Sequence, residues 1–301
     1  MLDDFKITTY EAPPEGFDPL TAEQSKLAFY GMVLRPEEGT EAYKRWHKVY
    51  SGKPKHIIPS FKKGTQSFGP YNANSWSGVV LEGKDGEGDK KNKYKGIEGS
   101  WKFFLDPRIR NIQFAPNSGC AVWIGIDGKD ASGNHSPLQV GSSFYQTIDG
   151  WDQSSLWCSW SKDGTGAYIQ NFNVNYGDQL SCVICVQSSN RASIHLSNVT
   201  QNIVVDFMVT AKKETYIGNC AEWIVENPNY TINPIANFGS VTFTDCHAYL
   251  HSPAGTVPPS VNANTGNVYN MKSLQGSLVH ETKTTLTGPN SIEIDYIYPA
   301  H

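Results

Sequence analysis

The chain has 301 residues, of which 39% are hydrophobic, 12% aromatic and 18% charged, a composition that supports a sizeable core and excludes a wholly disordered protein. The formal net charge of −4 does not fit a basic nucleic-acid-binding protein. No apolar run approaches the roughly 18 residues that a membrane-spanning helix needs, so we expect neither nucleic acid nor a membrane among its partners.

Residues 1–68 differ in pattern from the rest of the chain. The first 17 residues are acidic and lack the positively charged and apolar regions of a secretory signal peptide. Residues 21–24 (Thr-Ala-Glu-Gln) form a capping-box pattern, which predicts a short helix that ends near Gly31. A second helix is predicted after Thr40, because three aromatic residues then share one helical face: Tyr43, Trp46 and Tyr50. We expect an N-terminal extension, helical and irregular, that serves as a propeptide or as an accessory segment.

From Trp76 onward the hydrophobic period changes to two, which is typical of β-strands. Short segments rich in β-branched and aromatic residues are bounded by Gly, Asn, Asp or Pro. They are residues 79–81, 121–126, 138–145, 180–187, 193–196, 203–209, 221–225, 240–243 and 291–298. Because no helical pattern of 10–15 residues lies between them, we predict an all-β antiparallel sandwich over residues 69–301. The charge-dense residues 82–95 are predicted to be a solvated hairpin loop.

Alternation along two of these strands separates a core face from a second face. In residues 120–127 one face is aliphatic, whereas the other carries Trp123, Gly125 and Asp127. A tryptophan beside a glycine on such a face is typical of the floor of a binding groove.

The strand at residues 220–226 places Glu222, Ile224 and Glu226 together on the face opposite to Trp223. A glutamate inside an apolar strand is costly to bury without partners. Glu222 is therefore either a solvent-facing strand residue or a functional one.

Five segments in a fixed order carry the motifs of one known family. They are residues 74–81 (NSWSGVVL), 121–128 (AVWIGIDG), 138–141 (LQVG), 219–226 (NCAEWIVE) and 237–243 (NFGSVTF). Together they resemble the glutamic peptidases, or eqolisins, a family of acid-acting endopeptidases. The resemblance implies a jelly-roll sandwich of two antiparallel sheets, akin to concanavalin A-type lectins and glucanases. It also favours an extracellular or acidic compartment.

The resemblance implies a catalytic dyad of Gln139 and Glu222. A carboxylate can take a proton from water and later pass it to the leaving nitrogen. The neutral amide of Gln139 can donate an N–H to a developing oxyanion even in acid. By the same resemblance Trp76, Trp123 and Asp127 support the site or bind substrate. The expected substrates are polypeptides, no metal or cofactor is required, and we expect a monomer.

Two departures from the family pattern remove carboxylates. Residues 157–162 read Trp-Cys-Ser-Trp-Ser-Lys where the family tends to carry Trp-Tyr-Glu-Trp-Tyr-Pro, so that Ser159 replaces an acid and Lys162 a proline. Asn237 stands where the family often has an aspartate. We expect these changes to raise the preferred pH or to alter substrate preference.

The alternative function is carbohydrate or peptide binding by a non-catalytic, lectin-like sandwich, since the same fold hosts lectins and glucanases. Glu293 and Asp295 resemble the first two acids of a glucanase strand, but Tyr298 replaces the third. A glycosidase is therefore not favoured, because a retaining glycosidase needs a pair of carboxyl groups and this strand lacks the second glutamate that would complete it.

Two residue pairs have spacings that occur in metal sites, but neither favours metal binding here. The pair Cys182 and Cys185 points to opposite faces of a strand, which disfavours a zinc site. His247 and His251 lack the glutamate of a metalloprotease helix, and we predict a surface loop there.

Overall fold

The computed structural model describes the chain in ten ranges, which are residues 3–67, 75–83, 93–103, 118–129, 137–147, 150–161, 164–228, 235–251, 258–275 and 278–297. The helices are α1 (Gln24–Phe29) and α2 (Glu41–Tyr50), and a 3-10 turn covers Ala263–Thr265. The strands are β1 (Phe5–Thr9), β2 (Lys55–His56), β3 (Ser60–Ser67), β4 (Trp76–Glu82), β5 (Tyr94–Lys102), β6 (Gly119–Ile126), β7 (Leu138–Thr147), β8 (Gly150–Trp160), β9 (Thr165–Gln170), β10 (Gln179–Ser188), β11 (Arg191–Asn198), β12 (Ile203–Ala211), β13 (Cys220–Glu226), β14 (Ser240–Leu250), β15 (Ser260–Asn262), β16 (Asn267–Tyr269), β17 (Lys272–Gln275), β18 (Leu278–Gly288) and β19 (Ser291–Ile297). No helix in these ranges is long and apolar enough to cross a membrane.

The strands of the described residues form two sheets. The large sheet has 11 strands in the order β1-β12-β11-β10-β5-β14-β19-β18-β17, with β2 beside β12 and β15 beside β14. The small sheet has eight strands in the order β16-β4-β13-β6-β7-β8-β9-β3. Strand pairing is antiparallel except for the short contact of β2 with β12. The predicted all-β jelly-roll sandwich is confirmed.

The main core lies between the two sheets. Ile124 of β6 and Trp223 of β13 are fully buried there, and the indole N–H of Trp223 donates to the carbonyl oxygen of Glu98 at 2.9 Å. Trp123, the neighbour of Ile124, belongs instead to a separate cluster on the outer face of the small sheet. The predicted alternation along β6 and β13 is confirmed.

Strands are present at all nine predicted segments, but the central strand β5 was missed. Its glycines weaken the strand pattern, yet one of them is required by packing. A Cβ at Gly99 would lie 2.9 Å from Nε1 of Trp223, so only glycine fits against that indole. The predicted loop at residues 82–95 is wrong at both ends, because Glu82 closes β4 and Tyr94 opens β5. Residues 84–92 lie outside the described ranges.

The N-terminal helices differ in how well their starts were predicted. Helix α2 begins after Thr40 as predicted, since the Thr40 hydroxyl oxygen accepts a hydrogen bond from the backbone N–H of Tyr43 at 3.1 Å. Helix α1 begins only at Gln24, after Glu23, whose side chain makes no capping bond. The predicted capping box is therefore wrong. The Gln24 amide instead donates to the carbonyl oxygen of Arg35 at 2.8 Å and accepts from its N–H at 3.0 Å.

The N-terminal segment contacts both sheets. Strand β1 pairs with β12 at one edge of the large sheet, and β3 pairs with β9 at one edge of the small sheet. Helix α2 packs on the outer face of the large sheet, where the Arg45 guanidinium binds the Glu98 carboxylate at 2.5 Å and the Tyr249 hydroxyl at 3.0 Å. The predicted boundary at residue 68 follows directly after β3.

The cysteine and histidine pairs that could suggest a metal site lie in the large sheet. Cys182 packs in the core whereas Cys185 lies on the opposite face of β10, which confirms their predicted separation. The predicted surface loop is wrong for His247, because β14 continues to Leu250. His247 is buried, and its Nδ1 lies 3.2 Å from the Glu98 carboxylate. The cysteines of the described residues are free thiols.

Candidate active site

One row of residues crosses four strands of the small sheet. Glu222 of β13 is the register partner of Gly125 in β6, Gly125 is the partner of Gln139 in β7, and Gln139 is the partner of Ser159 in β8. Paired residues of antiparallel strands point to the same face of a sheet. The outer face therefore carries Glu222 and Gln139 on the two strands that flank Gly125.

Gly125 has no side chain, so the space between the side chains of Gln139 and Glu222 is open. Neighbouring strands lie about 4.8 Å apart, so the Cα atoms of Gln139 and Glu222 are about 10 Å apart. A Cβ at Gly125 would lie 2.9 Å from the Trp123 ring and 3.3 Å from Cβ of Gln139. The sheet thus holds an amide and a carboxyl on either side of a glycine.

Glu222 is fully buried, and its carboxyl group is held by backbone atoms. Its Oε1 accepts a hydrogen bond of 2.9 Å from the N–H of Gly128, whereas its Oε2 has no hydrogen-bond partner among the described residues. Burial raises the pKa of Glu222 to about 7, with a smaller increase from the charge of Asp127. The Cys220 thiol and the N–H groups of Gly128 and Lys129 oppose this shift. Glu222 can therefore exchange a proton near neutral pH.

Asp127 lies just beyond the end of β6 and holds a loop. Its backbone is in the left-handed region with φ 72°, so strand alternation does not determine where its side chain points. The carboxylate accepts hydrogen bonds from the N–H groups of Ile217, Gly218 and Asn219 at 2.7, 2.6 and 2.9 Å. These residues lead into β13, so Asp127 anchors the strand that carries Glu222.

Trp76 and Trp123 pack together on the face that carries Glu222 and Gln139. Their rings meet edge to face with centroids 4.8 Å apart, and both side chains are buried. Trp123 lies against Gly141, where a Cβ would come within 2.4 Å of Cβ of Trp123. Trp157 of β8, the register partner of Gly141, belongs to the same cluster.

Sequence reasoning placed Glu226 on this face but did not assign it to the site. Glu226 is buried, and its Oε2 accepts a 2.8 Å hydrogen bond from Nε1 of Trp123. Burial raises its pKa to about 8, although the indole groups of Trp123 and Trp76 oppose the shift. The signal in the sequence was a second glutamate four residues after Glu222, on the same face of one apolar strand.

The residues behind the alternative predictions lie elsewhere. Glu293 and Asp295 pair with Thr242 and Ser240 in the large sheet, on the other side of the core from Glu222. Tyr298 lies outside the described ranges. Within the part of the chain that the structure describes, no group of three or more His, Cys, Asp and Glu side chains is arranged to hold a metal ion.

Comparison with protein-family models matches residues 74–296 to the Peptidase A4 family. The chain belongs to this family, the eqolisins. This eqolisin is therefore a glutamic endopeptidase, a hydrolase that acts on peptide bonds, and its substrates are polypeptides. The comparison with curated proteins found no match.

The fold of this eqolisin is found in solved structures of other proteins. Scytalido-glutamic peptidase with a transition-state analogue inhibitor is 19% identical and superimposes with a TM-score of 0.55, covering 74% of this chain and 98% of that one. SCP-B, an eqolisin in complex with the tripeptide Ala-Ile-His, is also 19% identical, with a TM-score of 0.52 and the same coverage. At this identity the likeness establishes the jelly-roll sandwich alone.

Ser159 and Asn237, two of the departures of this eqolisin from the family pattern, lie within the described ranges, whereas Lys162 lies outside them. Ser159 is buried in the row of Gln139, and its hydroxyl donates to the carbonyl oxygen of Thr165 at 3.1 Å. Asn237 accepts a hydrogen bond from the N–H of Gly239 at 2.9 Å. The neutral Ser159 leaves one fewer negative charge in the row that contains Glu222.

Proposed function

We propose that this eqolisin cleaves polypeptides on the acidic side of neutrality, with Gln139 and Glu222 as its catalytic dyad. The observation that carries the proposal is the register that puts both side chains on one face of the small sheet, on either side of Gly125. Trp76, Trp123 and Asp127 support this arrangement. Both members of the dyad come from one chain, so we propose that the monomer is active.

The reaction needs one water molecule and two proton transfers. Ionised Glu222 takes a proton from the water, whose oxygen forms a bond to the peptide carbonyl carbon. The side-chain N–H of Gln139 donates to the oxyanion, and a donor of this kind contributes about 100- to 1,000-fold to kcat. Protonated Glu222 then gives its proton to the nitrogen as the C–N bond breaks. General acid–base help of this kind contributes about 100- to 10,000-fold.

The pKa of Glu222 agrees with activity that is present in weakly acidic conditions and increases toward neutrality. A group that acts as base and then as acid works best when its pKa lies near the working pH. With a pKa of about 7, Glu222 is present in both forms slightly below neutrality. The serine at position 159, where the family tends to carry an acid, supports the same pH range.

The dyad is tested by cleavage of a denatured protein at pH 5 to 7. We expect Glu222→Gln and Gln139→Ala to lose at least about 100-fold in kcat/KM while their circular dichroism spectra match the wild type. Glu98→Gln is the matched control, because Glu98 is a buried carboxylate on the other sheet. Full activity in either dyad variant would contradict the proposal.

We also propose that residues 1–68 remain attached as an accessory segment rather than leave as a propeptide. Strands β1 and β3 cover one edge of each sheet, and exposed edges promote aggregation. Helix α2 packs on the large sheet, away from Gln139 and Glu222. The mass of the active protein in solution should include this segment. An active form that begins near residue 69 would contradict this proposal.

A further inference from the structure

Glu226 is a buried carboxyl group that the proposed reaction does not use. It lies two residues beyond Ile224 on the outer face of β13 and is paired in register with Trp76 on one side and Ala121 on the other. Its Oε2 accepts the indole N–H of Trp123 at 2.8 Å, and the Trp76 ring packs edge to face against Trp123. One acidic group thus holds Trp123 by a hydrogen bond and, through the ring contact, Trp76 as well.

Each of these tryptophans touches a glycine that shapes the dyad. The ring of Trp123 would lie 2.9 Å from a Cβ at Gly125, the residue between Gln139 and Glu222. The ring of Trp76 would lie 2.7 Å from a Cβ at Gly128. The N–H of Gly128 is the donor to Oε1 of Glu222. A shift of either indole would therefore displace Gly125 or Gly128, and with it the geometry of Gln139 and Glu222.

We propose that Glu226 is a positioning residue whose carboxyl group fixes the indoles of Trp123 and Trp76. Through these indoles it fixes Gly125, between the dyad side chains, and the Gly128 N–H that donates to Glu222. This inference rests on the proposed function of Gln139 and Glu222. Glu226 acts through the tryptophans, because it lies one row of the sheet further from Gly125 than Trp123 does.

The positioning role of Glu226 can be detected by a pH dependence, because this carboxyl group can ionise. Its pKa of about 8 is raised mainly by burial, so the group is neutral where we expect the enzyme to work. The other titratable groups that sense its charge are the Cys120 thiol and the Tyr145 hydroxyl, on β6 and β7. Both have raised pKa values because of burial, so Glu226 is the first of the three to ionise as pH rises. A buried charge beside the indoles would disturb their packing.

Two substitutions separate hydrogen bonding from charge. Glu226→Gln keeps a carbonyl oxygen for the Trp123 N–H but cannot ionise, whereas Glu226→Leu keeps a similar volume and removes the acceptor. At pH 6 we expect kcat within about threefold of wild type for the Gln variant and at least about tenfold lower for the Leu variant. Trp123→Phe should lose kcat to a similar extent, and the double variant with Glu226→Leu should lose less than the product of the two.

The alkaline side of the pH profile gives a second readout. Between pH 7 and 8.5 the wild-type kcat should fall with a midpoint near 8, and Glu226→Gln should retain its rate. Glu98→Gln is the control and should follow the wild type. The indole ¹⁵N–¹H resonance of Trp123, assigned with Trp123→Phe, should titrate with the same midpoint in the wild type and not in Glu226→Gln.

Both the substitutions and the pH measurements can overturn the inference. A folded Glu226→Leu variant with kcat within twofold of wild type would do so. If that variant does not fold, an identical alkaline limb in Glu226→Gln, or a Trp123 resonance that does not titrate near pH 8, overturns it instead. Failure of the proposed function is distinguishable, because it appears as an inactive wild type or as full activity in Glu222→Gln or Gln139→Ala. Failure of this inference leaves the wild type active, the dyad variants impaired and the Glu226 variants unaffected.

Discussion

Glu222 accepts a 2.9 Å hydrogen bond from the backbone N–H of Gly128, and its pKa is nevertheless about 7. The bond stabilises the ionised form, but burial of the carboxyl group outweighs it. The result is a carboxyl group that is oriented by the backbone and gains or loses its proton near neutrality. An acid–base residue needs both properties.

The first prediction concerns the acid limb of the pH profile. If ionised Glu222 activates the water, kcat/KM should rise about tenfold per pH unit between pH 4 and 6 and level off near pH 7. Initial rates on a fluorogenic peptide measure this, with samples returned to pH 6 to show that the protein stays folded. A maximum near pH 3 followed by a steady decline would show that the protonated form of Glu222 starts the reaction.

The second prediction concerns the charge of Asp127. Asp127→Asn removes a negative charge that raises the pKa of Glu222, so the acid limb should move to lower pH. The variant should also lose about 1–3 kcal/mol of stability, because the new amide N–H₂ faces backbone N–H donors of the loop at residues 217–219.

A matched control separates the two effects of that substitution. Asp178 is also buried and also holds a loop, since it accepts hydrogen bonds from the N–H of Asn175 at 2.8 Å and the amide of Asn198 at 2.7 Å. Asp178→Asn should lower the unfolding free energy and leave the acid limb in place. An unmoved acid limb in Asp127→Asn would show that the Asp127 charge does not reach Glu222.

The sequence was sufficient to predict the faces of the strands but not their neighbours. The period of two in β6 and β13 separates Trp123 from Ile124 and Glu222 from Trp223, and both separations are confirmed. Register is a property of strand pairs that are distant in sequence. The alignment of Glu222 with Gly125 therefore follows from the fold alone.

Three strands, β1, β3 and β5, and the role of Glu226 could not be predicted from the sequence. Strand β5 has a weak pattern because Gly99 must leave room for the Trp223 indole. Strands β1 and β3 lie at sheet edges, where a strand buries few side chains and its hydrophobic pattern is weak. In β1 the fully buried side chain is Phe5. The role of Glu226 depends on its hydrogen bond to Trp123, which neither residue indicates by itself.

The third prediction is that the protein is most stable in mild acid, between about pH 4 and 6. Two opposing sets of groups define this window. Glu222 and Glu226 have raised pKa values, mainly through burial, so unfolding releases their protons above pH 4.5 and stability falls as pH rises toward 7 and 8. Burial lowers the pKa of His195, but the Asp206 carboxylate 2.7 Å away and the Cys185 thiol raise it to about 9. That stabilisation is complete below pH 6.5 and is lost as pH rises through 9.

Asp206 sets the lower limit of the window. Burial raises its pKa, but His195 and His56 together lower it, so its stabilisation is present above pH 3.8 and is lost as pH falls further. Thermal unfolding should give a Tm at pH 5 that is higher than at pH 8 by roughly 5 °C or more. Glu226→Gln should reduce this difference. A Tm that increases from pH 5 to pH 8 would contradict the assigned pKa values.

The fourth prediction tests Gly125, the glycine between Gln139 and Glu222 of the proposed dyad. Gly125→Ala adds a methyl group 2.9 Å from the Trp123 ring, 3.2 Å from the carbonyl oxygen of Leu138 and 3.3 Å from Cβ of Gln139. Overpacking of this kind costs about 1–3 kcal/mol. A displacement of about 1 Å at a reacting group can cost about 100-fold in rate. We expect kcat/KM to fall at least about tenfold in a variant that still folds.

Gly288→Ala is the control for that experiment, because Gly288 ends a strand of the other sheet and a Cβ there would meet its nearest neighbour, Cβ of Ser291, at an ordinary 3.8 Å. Its kcat/KM and Tm should match the wild type. Both variants exchange glycine for alanine within a strand, so a loss confined to Gly125→Ala is assigned to the space between Gln139 and Glu222. Equal activity in the two variants would show that this space is not where the peptide bond is cleaved, since the added methyl group lies directly between the two side chains.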